Sequence, residues 1–378
     1  MAKLKVVHIC DKCGVRGSTT HGVSRLFAIL FPKYDTSKFD IKLYAVKHPD
    51  SASQALEADG IPISYMGKSA ANPATLASFI NVIMKERADV LHLHGWIAAN
   101  YGRVAGRLTG VPTIMHEHGV DPVFPRSQRI ADSVLSPFTH TAVAVSNSVK
   151  DFLIKYRSVR PERIKVVYHG VPLDEFGPAD PTLVAQTRAE LGIPDGCPVI
   201  GTIGRIDTQK GITYLIKAAR QVIEFIPQAH FLIVGDGPKK EELEQEAKSL
   251  GIYSNVKFAG HRSDIPVIQS MLDIQAFPSL WEGTPLTVYE AMAMGLPIVS
   301  TDVDGLGEVL VGGENALIVK PADPTRLAGG IVRVLNNKEL SDKLRAGSRE
   351  NSKRFDIAQT ALNLESIYEE LCPCSRNV

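Results

Sequence analysis

The chain is poor in cysteine and has no long apolar run. Its five cysteines, an odd number among 378 residues, argue against a disulfide framework. Cys10-Asp11-Lys12-Cys13 and Cys372-Pro373-Cys374 have spacings that invite a metal or redox site. A zinc centre needs about four ligands, however, and only His8 and His21 lie near the first pair, so incidental cysteines are expected. No window offers the roughly 18 apolar residues of a membrane span, and the run Leu4 to Cys10 is too short for a signal peptide. A cytoplasmic protein, peripheral to a membrane at most, is the expectation. Polybasic runs are missing as well, which speaks against dedicated nucleic-acid binding. So are ligand-spaced runs of His, Asp or Glu, and with them the sign of a divalent-metal site. No Gly-x-Gly-x-x-Gly or Gly-Lys-Ser/Thr loop is present, which weighs against nicotinamide chemistry and P-loop phosphoryl transfer.

What is present suits a two-domain α/β protein. With 44% hydrophobic residues in 378, the chain can bury two substantial cores. The net charge of +1 conceals an asymmetry: residues 1–178 carry 22 Lys and Arg against 15 Asp and Glu, the remainder 20 against 26. A basic first half attracts phosphorylated or membrane-borne partners. Short β-rich runs at Leu4 to Ile9, Ile41 to Val46, Val90 to His94, Thr113 to Met115, Ala142 to Ser146 and Ile164 to Tyr168 alternate with helical stretches. The pattern restarts at Pro198 and continues through Phe231 to Val234, Val256 to Ala259, Ile274 to Pro278, Pro297 to Ser300 and Ala316 to Val319. Such alternation predicts two doubly wound parallel sheets with helices on both faces. The proline-rich stretch from Val171 to Pro198 reads as a linker and places the boundary near residue 178, giving domains 1–178 and 179–356. Ligands of open parallel sheets collect at the carboxyl ends of the strands, so two such domains facing each other predict a cleft enzyme.

The segment Phe277 to Pro297 is the most informative. The run Ile274 to Pro278 reads as a buried strand, Thr284 as an N-cap, Pro285 as the first helical residue, and Gly295 with Pro297 as the helix stop. Glu282 then lies just before the helix and Glu290 about one and a half turns inside it. Between them are the amides of Leu286 and Thr287, which with the helix dipole suit phosphate. Carboxylates, having no donor of their own, suit diols. Phosphate beside two diol-seeking carboxylates describes a sugar nucleotide. Taken alone, Glu282 is as readily a solvated loop residue, and Glu290 an early helix residue that suits the dipole.

Together with Gly204-Arg205-Ile206-Asp207-Thr208-Gln209-Lys210-Gly211 and Val234-Gly235-Asp236-Gly237-Pro238, this segment resembles the family 4 retaining glycosyltransferases of GT-B fold, in order and spacing over most of the second half. The resemblance implies a cytoplasmic, metal-independent enzyme. It would move a hexose from a UDP-, GDP- or ADP-linked donor to a saccharide, lipid-linked or phosphorylated acceptor, with no cofactor beyond that co-substrate. Arg205 and Lys210, with Gly204 before them, would grip the diphosphate, where fixed cations neutralise charge on the leaving group. Glu290 would take the ribose and Glu282 the transferred sugar. The region from Thr284 through Pro285, Leu286 and Thr287 would hold phosphate and sugar oxygens, while His261 and Arg262 would fall near the base. In the first half, His118-Gly119 follows a strand where the family has a histidine facing the sugar, with His116 competing for the role. Alternation sends both to one face. The loop from Gly14 to Gly22 corresponds to the family's glycine-rich loop, and a C-terminal helix of about 357–378 would cross back to the first domain. Three places depart from the family pattern: His21-Gly22 for paired glycines, His169 for an asparagine, and Asp304 for a glycine. These leave the acceptor side open. An epimerase or hydrolase on the same scaffold, or a silent sugar-nucleotide binder, are the rival readings.

Overall fold

The computed structural model describes residues 2–14, 22–121 and 123–372. The chain divides into two compact units, Met1–Gly170 with Ile357–Val378, and Val171–Asp356.

Unit 1 holds a seven-stranded parallel sheet: β1 Leu4–Cys10, β2 Phe39–Ala45, β3 Ile63–Tyr65, β4 Val90–His94, β5 Thr113–Glu117, β6 Thr141–Ala144 and β7 Ile164–Val166, in the order β3-β2-β1-β4-β5-β6-β7. Unit 2 holds six: β8 Val199–Ile203, β9 His230–Val234, β10 Val256–Gly260, β11 Ile274–Phe277, β12 Ile298–Thr301 and β13 Ala316–Val319, in the order β10-β9-β8-β11-β12-β13. Helices cover both faces, so the central strands are buried throughout and read as apolar runs rather than alternations. The twelve strands expected from the sequence are all present. The edge strand β3 was not expected: three residues, Ile-Ser-Tyr, are too few to show a period.

In both sheets the strand order reverses once, between β1 and β4 and between β8 and β11, and the loops at the carboxyl ends of these strands part there. Such switch points are where doubly wound sheets bind ligands. The helix Ile212–Phe225, with Leu215, Ile216, Ala219 and Val222 buried at helical spacing, lies on the second sheet, and the helix Ile357–Leu371 belongs to unit 1. Among the described residues no helix is long and apolar enough to cross a membrane.

Unit 1 also encloses an ionic cluster that no local pattern reveals. Asp132, fully buried, accepts from Arg103 Nη2 at 2.5 Å, Arg157 Nε at 2.5 Å and Gln128 Nε2 at 3.1 Å, and Arg157 also pairs with Glu117. Burial pushes the Glu117 carboxyl up, and the Arg157 guanidinium opposes that rise. Removing one member of such a cluster strands the others without solvent. Asp132→Ala is therefore expected to destabilise unit 1 by about 3–5 kcal/mol; a urea midpoint unchanged from the parent protein would show that the cluster carries no such weight.

Candidate active site

The switch point of unit 2 assembles most of the expected residues. From β8 the chain turns through Gly204 into the loop that ends at Gly211, where the helix Ile212–Phe225 begins. Gly211 has φ +61°, and a Cβ there would lie 2.0 Å from the Pro278 carbonyl oxygen. The loop after β8 thus rests on the loop after β11, backbone against backbone. The same happens one strand further: a Cβ on Gly305 would meet the Gly283 carbonyl oxygen at 1.5 Å.

This contact places Lys210 over Glu282. Lys210 Nζ and Glu282 Oε1 are 2.5 Å apart, with the Glu282 side chain 5% exposed and that of Lys210 20%. Ser279 Oγ donates to the same carboxylate at 2.9 Å, and Gln209 Nε2 donates to Glu282 Oε2 at 3.3 Å and to the Trp281 carbonyl at 3.1 Å. Glu282 is therefore a positioned residue, not a solvated one. Asp207 accepts the Lys210 amide at 3.2 Å and approaches Arg205 Nε at 3.4 Å, leaving the Arg205 side chain 40% exposed.

The helix following β11 starts one residue later than the sequence predicts. It runs Leu286–Met294, with Pro285 rather than Thr284 as N-cap. Pro285 is extended (ψ 140°), and its carbonyl accepts from Val288 at 3.0 Å, which makes Leu286 the first helical residue. The shift leaves Leu286 and Thr287 at the first two positions, whose N–H groups have no carbonyl one turn back. Gly295 ends the helix in the left-handed conformation, as expected. Thr284 and Glu290 are buried, Glu290 fully. His261 is exposed just past β10. Arg262 is engaged by Asp264 at 2.7 and 2.8 Å and by Glu190 at 2.6 Å, contacts that raise its already high pKa further. Gly22 opens the helix Gly22–Leu30 and is exposed; residues 15–21 of that loop lie outside the described residues, as do Pro373 and Cys374.

In unit 1 the corresponding helix mouth is occupied by the chain itself. Asp11, after β1, accepts the amides of Ile97 at 3.1 Å and Ala98 at 2.7 Å, at the start of the helix Trp96–Thr109. Beside it lies a cluster of histidines. Parallel register sets His8 against His92 and His94 against His116, and the two-residue period puts His118 on the same face. His169 joins the group, its ring centroid 5.4 Å from that of His118. His8, His92 and His94, and likewise His94, His116 and His118, bring ring nitrogens within 4.8 Å of one another. A metal must lie in the plane of every imidazole that binds it, however, and neighbouring rings in these groups are inclined by only 13–36°. The arrangement suits hydrogen bonding between rings better than coordination. Cys10 and Cys13, both buried with sulfurs 3.8 Å apart, belong to an apolar cluster nearby.

Residues 184–351 match the family described as glycosyl transferases group 1, and residues 21–175 match glycosyltransferase family 4. The chain belongs to glycosyltransferase family 4. It is a nucleotide-sugar-dependent glycosyltransferase. It is 28% identical over 307 residues to the UDP-Gal:alpha-D-GlcNAc-diphosphoundecaprenol alpha-1,3-galactosyltransferase of Escherichia coli, covering 79% of each chain. It is 27% identical to the D-inositol 3-phosphate glycosyltransferase of Corynebacterium jeikeium, covering 80% of this chain and 78% of that one. The GT-B fold is shared with Anabaena HepE in its complex with UDP-glucose (TM-score 0.84, 22% identity, covering 97% of this chain and 99% of that one), and with WaaG, a glycosyltransferase involved in lipopolysaccharide biosynthesis (TM-score 0.69, 16% identity, 97% and 99%).

In this glycosyltransferase three residues around Glu282 escaped the sequence reading of the site. Gln209 and Ser279 carry no signal of their own. Asp304, noted only as a departure, has φ +30°, a conformation that favours glycine, and the next residue, Gly305, donates its N–H to the Glu282 carbonyl at 3.3 Å. Burial raises the Asp304 carboxyl pKa, and the Glu282 backbone opposes the rise.

The glycosyltransferase's histidines have a consequence for acid stability. Burial lowers the pKa of His8 to about 3 and of His169 to about 4; it also pushes His92, His94 and His116 well below their ordinary value, with neighbouring imidazoles adding to the effect. Folded imidazoles that stay neutral contribute stability above the unfolded pKa of about 6.5, and that stability is lost as pH falls toward the folded values. Each contributes a slope of about 1.4 kcal/mol per pH unit in that window. Five together are expected to unfold unit 1 between about pH 6.5 and 5. Thermal melts that stay level from pH 7.5 to 5 would contradict this.

Proposed function

We propose that the enzyme transfers a hexose from a UDP-linked donor to a hydroxyl of a lipid-linked saccharide, with retention at the anomeric carbon and without a divalent metal. The observation that carries this reading is the Lys210–Glu282 pair, held by Ser279 and Gln209 beside the helix mouth at Leu286 and Thr287. A cation, helix amides and a carboxylate thus meet at one end of one sheet. The first two suit a diphosphate and the third suits sugar hydroxyls. The named relatives support the finer choices, since one is a UDP-galactose enzyme acting on a diphosphoundecaprenol-linked sugar and HepE holds UDP-glucose.

In this reaction the bond between the anomeric carbon and the diphosphate oxygen breaks and a bond to the acceptor oxygen forms. The acceptor proton passes to the departing phosphate. Arg205, Lys210 and the amides of Leu286 and Thr287 stabilise the charge that develops on the leaving group, in the role a metal ion would otherwise fill. Glu282 orients the transferred sugar, Glu290 the ribose, and His118 donates to a sugar oxygen. Gly22, Gly204, Thr284 and Pro285 shape the approach of phosphate, and His261 and Arg262 border the base. The excess positive charge of residues 1–178 supports work at an acidic membrane surface, on its cytoplasmic face.

Removing Lys210 takes away a charge partner preorganised for the leaving group, worth about 3 kcal/mol, so Lys210→Ala is expected to lower turnover by roughly a hundredfold. Near-normal turnover would remove Lys210 from this role. Calorimetry with a chelator present is expected to show UDP binding in preference to GDP and ADP, and about tenfold or greater weakening in Glu290→Ala, where a ribose diol loses its acceptor. No binding of any of the three nucleotides would overturn the donor site.

A further inference from the structure

The helix Arg126–Leu135 of unit 1 is inverted. Its two buried residues are Gln128 and Asp132, while Ile130 and Val134 are 67% and 65% exposed. Successive helical residues are about 100° apart, so Ile130 and Val134 share one face and Gln128 and Asp132 the opposite one. A surface helix ordinarily buries its apolar stripe and leaves its polar one to water. Here the ionic cluster takes over the inward face: Asp132 is held by Arg103 and Arg157, and Gln128 exchanges two bonds of 3.0 Å with Asn100. Because charges and hydrogen bonds dock this helix, its apolar side chains are left outside.

Val123, 82% exposed, adds a third apolar side chain just before the helix. Its amide donates to Asp121 Oδ1 at 2.9 Å, and the adjacent Phe124 packs edge-on against Trp96 and Phe152, with ring centroids 5.4 and 5.3 Å away. The segment that presents Val123 is therefore anchored from within. Single exposed apolar residues are ordinary, but a cluster of them on one element marks a contact surface. The rest of the exposed helix is basic. Arg126 and Arg129 stand in solvent, and the helix's one acid, Asp132, is buried and paired. Arg129 Cζ and, from the helix Asn147–Arg157, Lys155 Nζ lie 5.3 and 5.2 Å from the centre of the Tyr156 ring. On that helix Lys150 and Lys155 outnumber its one acid, Asp151.

An aliphatic face bordered by arginines, with no exposed acid on its helix, matches an acidic phospholipid surface, where methyl groups enter the headgroup boundary and cations meet phosphate. A second copy of the chain fits less well. A two-fold interface is self-complementary and would set Arg126 and Arg129 against their own equivalents. We infer that the face carrying Val123, Ile130 and Val134, with Arg126 and Arg129, docks unit 1 on an acidic lipid bilayer. Val123 lies five residues beyond His118, so docking here holds the carboxyl end of β5 near the membrane, where a lipid-linked acceptor is met without leaving the bilayer. The choice of a bilayer rests partly on the acceptor proposed above; the inversion of the helix is independent of it.

Flotation of the full chain with vesicles of phosphatidylcholine alone, or with phosphatidylglycerol in about equal parts, reads the docking. Binding to the acidic vesicles and little to the neutral ones is expected. Val123→Ser, Ile130→Ser and Val134→Ser combined are expected to lower the partition coefficient about tenfold or more. Arg126→Gln with Arg129→Gln is expected to do the same, each arginine near an acidic surface being worth roughly fivefold. All five side chains are exposed, so an unchanged melting temperature in both variants is expected to report an intact fold. Equal binding to both kinds of vesicle, undiminished binding by both variants, or no binding by the parent chain would overturn the inference. So would a parent dimer that the serine variant dissociates in sedimentation velocity, which would give the face to a second copy. Calorimetry with UDP separates this result from the reaction, since both variants are expected to bind UDP as the parent does. A parent chain that floats with acidic vesicles, loses this in the variants and binds no UDP would support the docking face and overturn the proposed function alone.

Discussion

Close backbone approach at the carboxyl ends of β8, β11 and β12 is the constraint on which the proposed donor site depends. Gly211 lies against the Pro278 carbonyl and Gly305 against the Gly283 carbonyl, at separations that no side chain would permit. Because the loops touch through their backbones, the side chains they carry have little freedom of relative position. Lys210 from one loop and Glu282 from the next are therefore brought to 2.5 Å with further bonds from Ser279 and Gln209, and neither needs a long side chain ordered at the moment of reaction. Preorganisation of this kind lets a fixed charge act on a transition state without reorganisation.

The two sheets share a topology and a switch point but use them differently. In unit 2 the helix mouth after β11 carries the amides of Leu286 and Thr287 beside a cation. In unit 1 the helix mouth after β4 is filled by Asp11, which satisfies the amides of Ile97 and Ala98 with the chain's own carboxylate. A phosphate meeting Asp11 would face charge repulsion. What unit 1 offers at its switch point instead is a set of neutral imidazoles, groups suited to directional hydrogen bonds with hydroxyls rather than to binding anions. In the proposed reaction the placement of one carboxylate on the same fold would thus separate phosphate chemistry from hydroxyl chemistry.

Much of the fold was legible because parallel sheets under two helical layers write short, near-continuous apolar runs separated by turn residues and helical stretches. The Glu282–Glu290 spacing was legible because Glu290 lies inside a helix whose start, just after Glu282, is marked by Thr284 and Pro285. The start of that helix was misread by one residue, since proline suits both N-cap and first-turn positions and only the ψ of Pro285 decides. Contacts that join distant strands were not legible. His8, His92 and His116 look like separate core histidines until the register of β1, β4 and β5 sets them side by side, and Tyr368 joins them from more than 250 residues away. Arg103, Asp132 and Arg157 give no sign in the sequence that one carboxylate serves two guanidiniums. Charge pairs of this sort are made by tertiary packing, and no periodicity records them.

Asp304 shows how a departure from a family pattern acquires physical meaning. A glycine is usual there, and the backbone, at φ +30°, has the conformation glycine adopts freely. Aspartate tolerates that region better than most residues, because its short side chain can bond locally to the backbone. Here the loop after β12 is fastened to the residue that is proposed to orient the sugar by the neighbouring Gly305, whose N–H donates to the Glu282 carbonyl at 3.3 Å. The substitution exchanges backbone ease for a carboxyl group beside the Glu282 backbone. A carboxylate added at this point also alters which hydroxyls the surroundings of Glu282 can accept. The departures from the family pattern that fall within the described residues, His169 near His118 and Asp304 at Glu282, thus lie beside residues assigned to the sugar rather than those assigned to the diphosphate. That is the distribution expected where leaving-group chemistry is held constant and the sugar pocket varies.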